Sequence, residues 1–173
     1  IYVGITSIEI IALRIAGMET FDSICHAFTT MPTGGFSTKN ASLAHYDNPM
    51  IHYIIIFFMF LAGINFSLHF HAMSGSIKTY FRDTEFLVYF FIIISISSII
   101  FFSLSYQSNT FSDLTLRESL FGTIAMLTGT GYVLGDYEIW PVFLQMVLLT
   151  LMFVGGMGCL LYTSDAADEL LGV

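Results

Sequence analysis

MPTGGFSTKN, residues 31–40, and MLTGTGYVLGDYEIWP, residues 126–141, are the stretches on which the fold turns. Each carries a Thr/Gly cluster, Pro32-Thr33-Gly34-Gly35-Phe36 in the first and Thr128-Gly129-Thr130-Gly131-Tyr132 in the second. Each cluster follows a short, mostly apolar segment, Ser23 to Thr29 or Leu120 to Leu127. Acidic and polar residues open each unit, Glu19-Thr20-Phe21-Asp22 and Leu116-Arg117-Glu118-Ser119. After each cluster comes a polar stretch, with Asp47 in one and Asp136 and Glu138 in the other. A proline then follows, Pro49 or Pro141, a residue suited to a helix start. The chain therefore contains an internal repeat in which Gly35 and Gly131 hold equivalent places. Repeats of this kind in apolar chains mark channel and transporter architecture.

Outward from these clusters lie four apolar blocks. They are Ile1 to Gly17, Pro49 to about Met73, Phe86 to about Tyr106, and Trp140 to about Leu161. A helix crossing a bilayer needs roughly 20 mostly apolar residues. The last three blocks meet that length, and the first reads as the end of a span. The third and fourth contain no Lys, Arg, Asp or Glu. Apolar residues make up 55% of the 173 and charged residues 10%. That is too few charges to cover a water-soluble domain, which averages about a quarter. The reading is an all-α membrane protein built from repeated helix–re-entrant pore loop–helix units, as in channels and transporters.

The formal net charge is −8. Asp165, Asp168 and Glu169 contribute to it from the last few residues. The five Lys and Arg residues are scattered, which disfavours nucleic acid as a partner. Cys25 and Cys159 form no metal-knuckle spacing and no disulfide framework. The segment Ser74 to Glu85 carries Lys78 and Arg82, which places it on the cytoplasmic side. Lys39 and Arg117 on the opposite loops weaken that signal.

A segment of seven or eight residues is too short to span, so the chain must turn back inside the membrane. Non-helical backbone is tolerated there only when buried in protein or lining water. Glycine permits such a turn because it adopts positive φ without strain. Exposed carbonyls of the turn replace the hydration shell of a cation. The short helix before it aims its partially negative C-terminal end at the same point. The ion-binding candidates are Thr33, Gly34 and Gly35 in the first loop and Gly129, Thr130 and Gly131 in the second. The two threonines either add hydroxyl oxygens or brace the loops. Asn65, deep in the second block, is a pore-lining candidate, with helix–helix packing as the commoner role of such an amide.

Other polar residues carry weaker signals. His69 and His71 are two apart, so they do not share a helix face and do not read as a joint metal site. Hydrogen bonds to loop backbone are the better reading for them. His26, His45 and His52 complete no ligand set. No transition metal and no cofactor is expected, the transported ion apart. Glu9 and Arg14 in the first block are either intramembrane functional charges or residues near a helix end.

The run FDSICHAFTTMPTGGFSTKN (21–40) resembles the second pore loop of the Trk/Ktr/HKT cation-transporter superfamily. GINFSLHF (63–70), RDTEF (82–86) and the third-loop run 126–141 are similar to it as well. The likeness covers Ile1 to Gly158 and is nearest the membrane subunits of bacterial Trk potassium uptake systems. It implies four unlike units around one pore, each giving one filter strand with a signature glycine, here Gly35 and Gly131. Residues 1–73 would be most of unit two, 74–85 a cytoplasmic linker, and 86–158 part of unit three. Two strands do not encircle an ion, so this portion is not expected to conduct alone.

The resemblance also implies potassium uptake across the bacterial inner membrane by a multi-pass protein that is not an enzyme. The partners it implies are membrane lipid, a second copy in a homodimer, and a cytosolic nucleotide-binding regulatory subunit of the TrkA/KtrA type. Carbonyl filters for different cations differ in geometry, so sodium or mixed monovalent cation transport stands as the alternative. A reading from another class is an intramembrane metal enzyme using His69 and His71. Gly155-Gly156-Met157-Gly158 begins the family's Gly/Ser-rich gate, but CLLYTSDAADE (159–169) matches nothing in it. That run resembles a reading frame of a sequencing adapter, and 159–173 is expected to be a non-native tail. Sequencing genomic DNA across the Gly158 codon should therefore yield a different continuation. The same tail codons from independent DNA would end that reading.

Overall fold

The structure, a computed structural model, describes residues 1–65, 68–70, 83–108 and 110–155. Among these residues every regular element is a helix. They are α1 (Tyr2–Ile15), α2 (Thr20–Thr30), α3 (Pro49–Ala62), α4 (Thr84–Ser108), α5 (Asp113–Leu127) and α6 (Val142–Gly155). Short 3-10 turns at Ser42–His45 and Tyr137–Ile139 follow the two loops. Among the described residues one helix is long and apolar enough to cross a membrane, over Thr84–Gln107. The shorter apolar helices are α3 and α6.

The repeat is visible in the packing. Helix α1 lies against α2, and α4 lies against α5. Helix α3 joins the halves, since it contacts α1, α2 and α5. It starts where expected: Pro49 is its first residue, and the Asn48 side chain caps it by accepting from the Met50 amide. The same Asn48 amide group donates to the Ala16 carbonyl at 2.7 Å, tying α3 to the end of α1. In the second half, α6 begins directly after Pro141. Its Gln145 Nε2 donates to the carbonyls of Tyr137, Glu138 and Trp140, which fixes the loop to the helix. Leu144, Leu148 and Leu151 of α6 form one buried stripe in a core shared with Ile55, Met59, Phe121 and Tyr132.

Two expectations need correction. The block from Pro49 to Met73 is not one continuous helix. Helix α3 ends at Ala62, with Gly63 as its C-cap, after 14 residues or about 21 Å of rise. His69 Nε2 bonds to the Leu61 carbonyl at this break, where the Ile64 amide also donates to it. Asn65 is half-buried just beyond it, and not on a helix face. The pore helices also begin earlier than their apolar cores. Helix α5 starts at Asp113 because Ser112 caps it, accepting from the Thr115 amide. Glu19 stands at the N-cap of α2. The polar residues Leu116 to Ser119 are therefore helical. At 11 and 15 residues, or about 16 and 22 Å, both helices still fall short of a bilayer's roughly 30 Å core. His71, the linker 74–82 and the tail 159–173 lie outside the described residues.

The end of α6 meets the end of α5 at backbone distance. A Cβ added to Gly155 would overlap the Leu127 carbonyl, whereas one added to Gly4 on α1 meets open space. Gly155→Ala should therefore cost about 1–3 kcal/mol through overpacking. Gly4→Ala should be neutral or slightly stabilising. Thermal melting of the full-length protein in detergent checks the pair. An unchanged midpoint for Gly155→Ala would contradict the close approach.

Candidate selectivity filter

Both clusters turn the chain back in the same way. Thr33 and Gly35 have φ of 54° and 64°, and Gly129 and Gly131 both have 74°. All four sit in the left-handed region, and they are paired by the sequence repeat. The backbone bonds repeat as well. The Thr33 amide donates to Thr30 O at 3.0 Å, and the Gly129 amide donates to Met126 O at 3.2 Å. The Gly35 amide donates to Thr29 O at 3.1 Å, and the Gly131 amide donates to Ala125 O at 3.0 Å. Each loop thus spends its amides on the orphan carbonyls at the end of its own pore helix. The cause is local: left-handed residues after a helix fold the chain back onto its last turn. Thr33 takes this conformation at a cost of about 1–2 kcal/mol that glycine avoids.

The carbonyls are left over. Among the described residues no hydrogen-bond donor reaches the carbonyl oxygen of Thr33, Gly34, Gly35, Gly129, Thr130 or Gly131. The threonine hydroxyls act as braces. Thr33 Oγ1 donates to the Pro32 carbonyl at 2.8 Å. Thr130 Oγ1 lies 2.7 Å from Thr128 Oγ1, which in turn donates to Ile124 O. The loops also meet each other: a Cβ on Gly35 would run into the Thr130 carbonyl. At Gly129 and Gly131 that space is open, so only their φ calls for glycine. Asn65 lies two residues past Gly63, whose added Cβ would press on Thr128 Cγ2 at 2.8 Å. The α3 break therefore sits at the foot of the second loop.

What joins the loops is a residue that the pattern reading passed over. Tyr132 follows Gly131 and is fully buried. Its hydroxyl donates to His26 O at 3.1 Å and lies 2.6 Å from Thr29 Oγ1 and 3.2 Å from Thr30 Oγ1. The second loop is thereby anchored to the first pore helix. Its repeat counterpart, Phe36, is 76% exposed. Beyond the filter, Leu43 and Ala44 amides donate to Val133 O, and Val133 N donates to Ser42 Oγ. The one available signal was that both loops place an aromatic after the last glycine, with a hydroxyl only in the second.

A second brace surrounds Asp22 near the start of α2. Thr38 donates to its Oδ1 at 2.7 Å, Tyr46 donates to Oδ2 at 2.9 Å, and Lys39 Nζ lies 3.1 Å from Oδ2. Burial alone would raise this carboxyl. The donors from Thr38, Lys39 and Tyr46 and the Lys39 charge outweigh it and hold the group lowered to about 2. His26 is buried below it. Its Nδ1 donates to Asp22 O at 2.7 Å, which leaves Nε2 to accept from Ser37 Oγ at 2.9 Å. His52 Nε2 bonds Leu43 O at 3.1 Å. Of these histidines only His52 bonds backbone between helices; His26 and His69 bond carbonyls within α2 and α3. Arg14 donates to Met18 O, in the turn between α1 and α2. Glu9 is fully buried, and neither of its oxygens has a hydrogen-bond partner.

Paired helix–re-entrant loop–helix units in an apolar, all-helical chain define a membrane protein of the pore-loop class. The family model TrkH, described as cation transport protein, matches residues 2–161. The chain belongs to that family. It is 37% identical over 161 residues to the Trk system potassium uptake protein TrkH of Escherichia coli strain K12, covering 90% of this chain. It is 39% identical over 158 residues to its namesake in Salmonella typhimurium. The crystal structure of the potassium transporter TrkH from Vibrio parahaemolyticus superposes with a TM-score of 0.83 at 32% identity. That superposition covers 97% of this chain and 39% of that one. The chain spans about a third of the length of these relatives, 33% for both of the first two. The family match runs a little past the expected boundary at Gly158.

The Tyr132 hydroxyl should be worth about 0.5–1.5 kcal/mol, the net contribution of an intramolecular hydrogen bond. Tyr132→Phe should lower the melting midpoint. A double-mutant cycle with Thr29→Val should give a coupling of at least about 0.5 kcal/mol, as expected for residues in contact. Strict additivity would deny the cross-loop bond.

Proposed function

We propose that this chain supplies two adjacent walls of a potassium-selective filter in the membrane subunit of a Trk-type uptake system. The observation that carries the reading is the set of six loop carbonyls that receive no donor, held by loops of matching left-handed backbone. Dehydrated cations need oxygens of that kind, fixed in place and free of competing protons. The pore helices, ending at Thr30 and Leu127, add the negative ends of their dipoles. In this reading Thr33, Gly34, Gly35, Gly129, Thr130 and Gly131 coordinate through backbone oxygens, and potassium is cargo. Residues 1–73 and 86–158 are the second and third units of four, joined by a cytoplasmic linker at 74–85. Asn65 borders the pore at the broken end of α3.

The names of the relatives support potassium as the cargo. Their designation as a Trk system supports a multi-component assembly. Within it we assign this chain to a multi-pass protein of the bacterial inner membrane, acting as a homodimer with a cytosolic nucleotide-binding subunit. The family is one of transporters, and the proposed role is translocation without covalent chemistry.

The test is cation flux into liposomes by the full-length protein, with and without Gly35→Ser. The added side chain would collide with the Thr130 carbonyl and force a left-handed φ on serine. The K⁺/Na⁺ preference should fall about tenfold, the equivalent of roughly 1.4 kcal/mol. Unchanged flux and unchanged preference would sink the assignment.

A further inference from the structure

Glu9 is the one acidic side chain among the described residues that is fully buried and has no partner at either oxygen. It sits midway along α1, a helix packed against the first pore helix. Its polar neighbour there is the Thr30 hydroxyl, set short of hydrogen-bond geometry. The Tyr132 hydroxyl lies within electrostatic reach. Glu9 therefore stands beside Thr30, in the last turn of α2 from which the first loop departs.

The donors around it are already committed. Thr30 has one hydroxyl proton, which goes to His26 O at 2.8 Å. The Tyr132 proton goes to the same carbonyl at 3.1 Å. Both hydroxyls thus present lone pairs, not protons, to a further partner. The described cations are occupied elsewhere: Lys39 with Asp22, Arg117 with Asp113, and Arg14 with the Met18 carbonyl. A carboxylate at this place would be an unpaired charge inside a membrane protein, facing oxygen lone pairs. A carboxylic acid would instead supply the donor that the site lacks.

We propose that Glu9 is a positioning residue that remains protonated and donates its proton to Thr30, bracing the turn from which the first filter loop departs. This rests on the filter reading above. Thr30 receives the Thr33 amide through its carbonyl, and Thr29 receives those of Gly34 and Gly35. A bond that fixes Thr30 thus fixes the turn from which the loop carbonyls project.

The test uses the full-length protein with Glu9→Gln and Glu9→Leu, and Gly35→Ser alongside. Gln keeps a donor of similar length, and Leu keeps volume without one. In infrared difference spectra at neutral pH, wild type minus Glu9→Gln should show the stretch of a protonated carboxyl group. In liposomes, Glu9→Gln should retain the K⁺/Na⁺ preference within about twofold. Glu9→Leu should lower it about three- to tenfold, the scale of one lost hydrogen bond. Absence of the protonated-carboxyl stretch would overturn the proposal, and so would wild-type preference in Glu9→Leu while Gly35→Ser loses it. If Gly35→Ser also keeps its preference, the filter reading falls and this one with it. Should Glu9→Leu fail to fold, the infrared signature and the Glu9→Gln flux still decide.

Discussion

A backbone that leaves helical geometry inside a membrane must find partners for its amides and carbonyls, and the two loops meet only half of that demand. Their amides return to the last carbonyls of α2 and α5, while their own carbonyls receive nothing from the described protein. Every other feature of the fold serves this imbalance. The pore helices are short, so that they end inside the bilayer. Left-handed residues at 33, 35, 129 and 131 reverse the chain within one turn. Side chains tie the backs of the loops, where a donor is harmless, and not their fronts.

The braces fall into layers. Near the start of α2, Asp22 gathers Thr38, Lys39 and Tyr46. Below it His26 bridges the start of α2 to Ser37. Deeper still, Tyr132 crosses from the second loop to the last turns of α2. Unlike an isolated surface ion pair, which contributes little, each of these networks centres on a buried residue, Asp22, His26 or Tyr132. Glycine at 35 lets the loops close on each other where any side chain would separate them.

Much of this was legible in the sequence. The repeat, the equivalence of Gly35 and Gly131, and the prolines opening α3 and following the second loop are all local patterns with local physical causes. Helix starts were misjudged where polarity was taken for helix exterior: Ser112 captures the Thr115 amide and pulls Leu116 to Ser119 into α5. The break at Gly63 was hidden because hydropathy stays high across it, and His69 reaching back to Leu61 O, beside the Ile64 amide, shows only in the fold. Tyr132 was invisible for another reason. Its partners lie about a hundred residues earlier, and no periodicity records a bond between distant segments. Glu9 was noticed as a charge in an apolar block, but its isolation is a property of the packed neighbourhood alone.

Tyr132 has a mechanical side. It leads toward α6 on one side and is bonded to α2 on the other. The hydroxyl therefore works as a tie rod between the two units. Force applied to the outgoing helix of one unit reaches the pore helix of the other through residues 133–141 and this one hydroxyl. Phe36 holds the same place in the first loop but carries no hydroxyl and stands exposed. The two loops are consequently held unequally, one tied across the units and the other not.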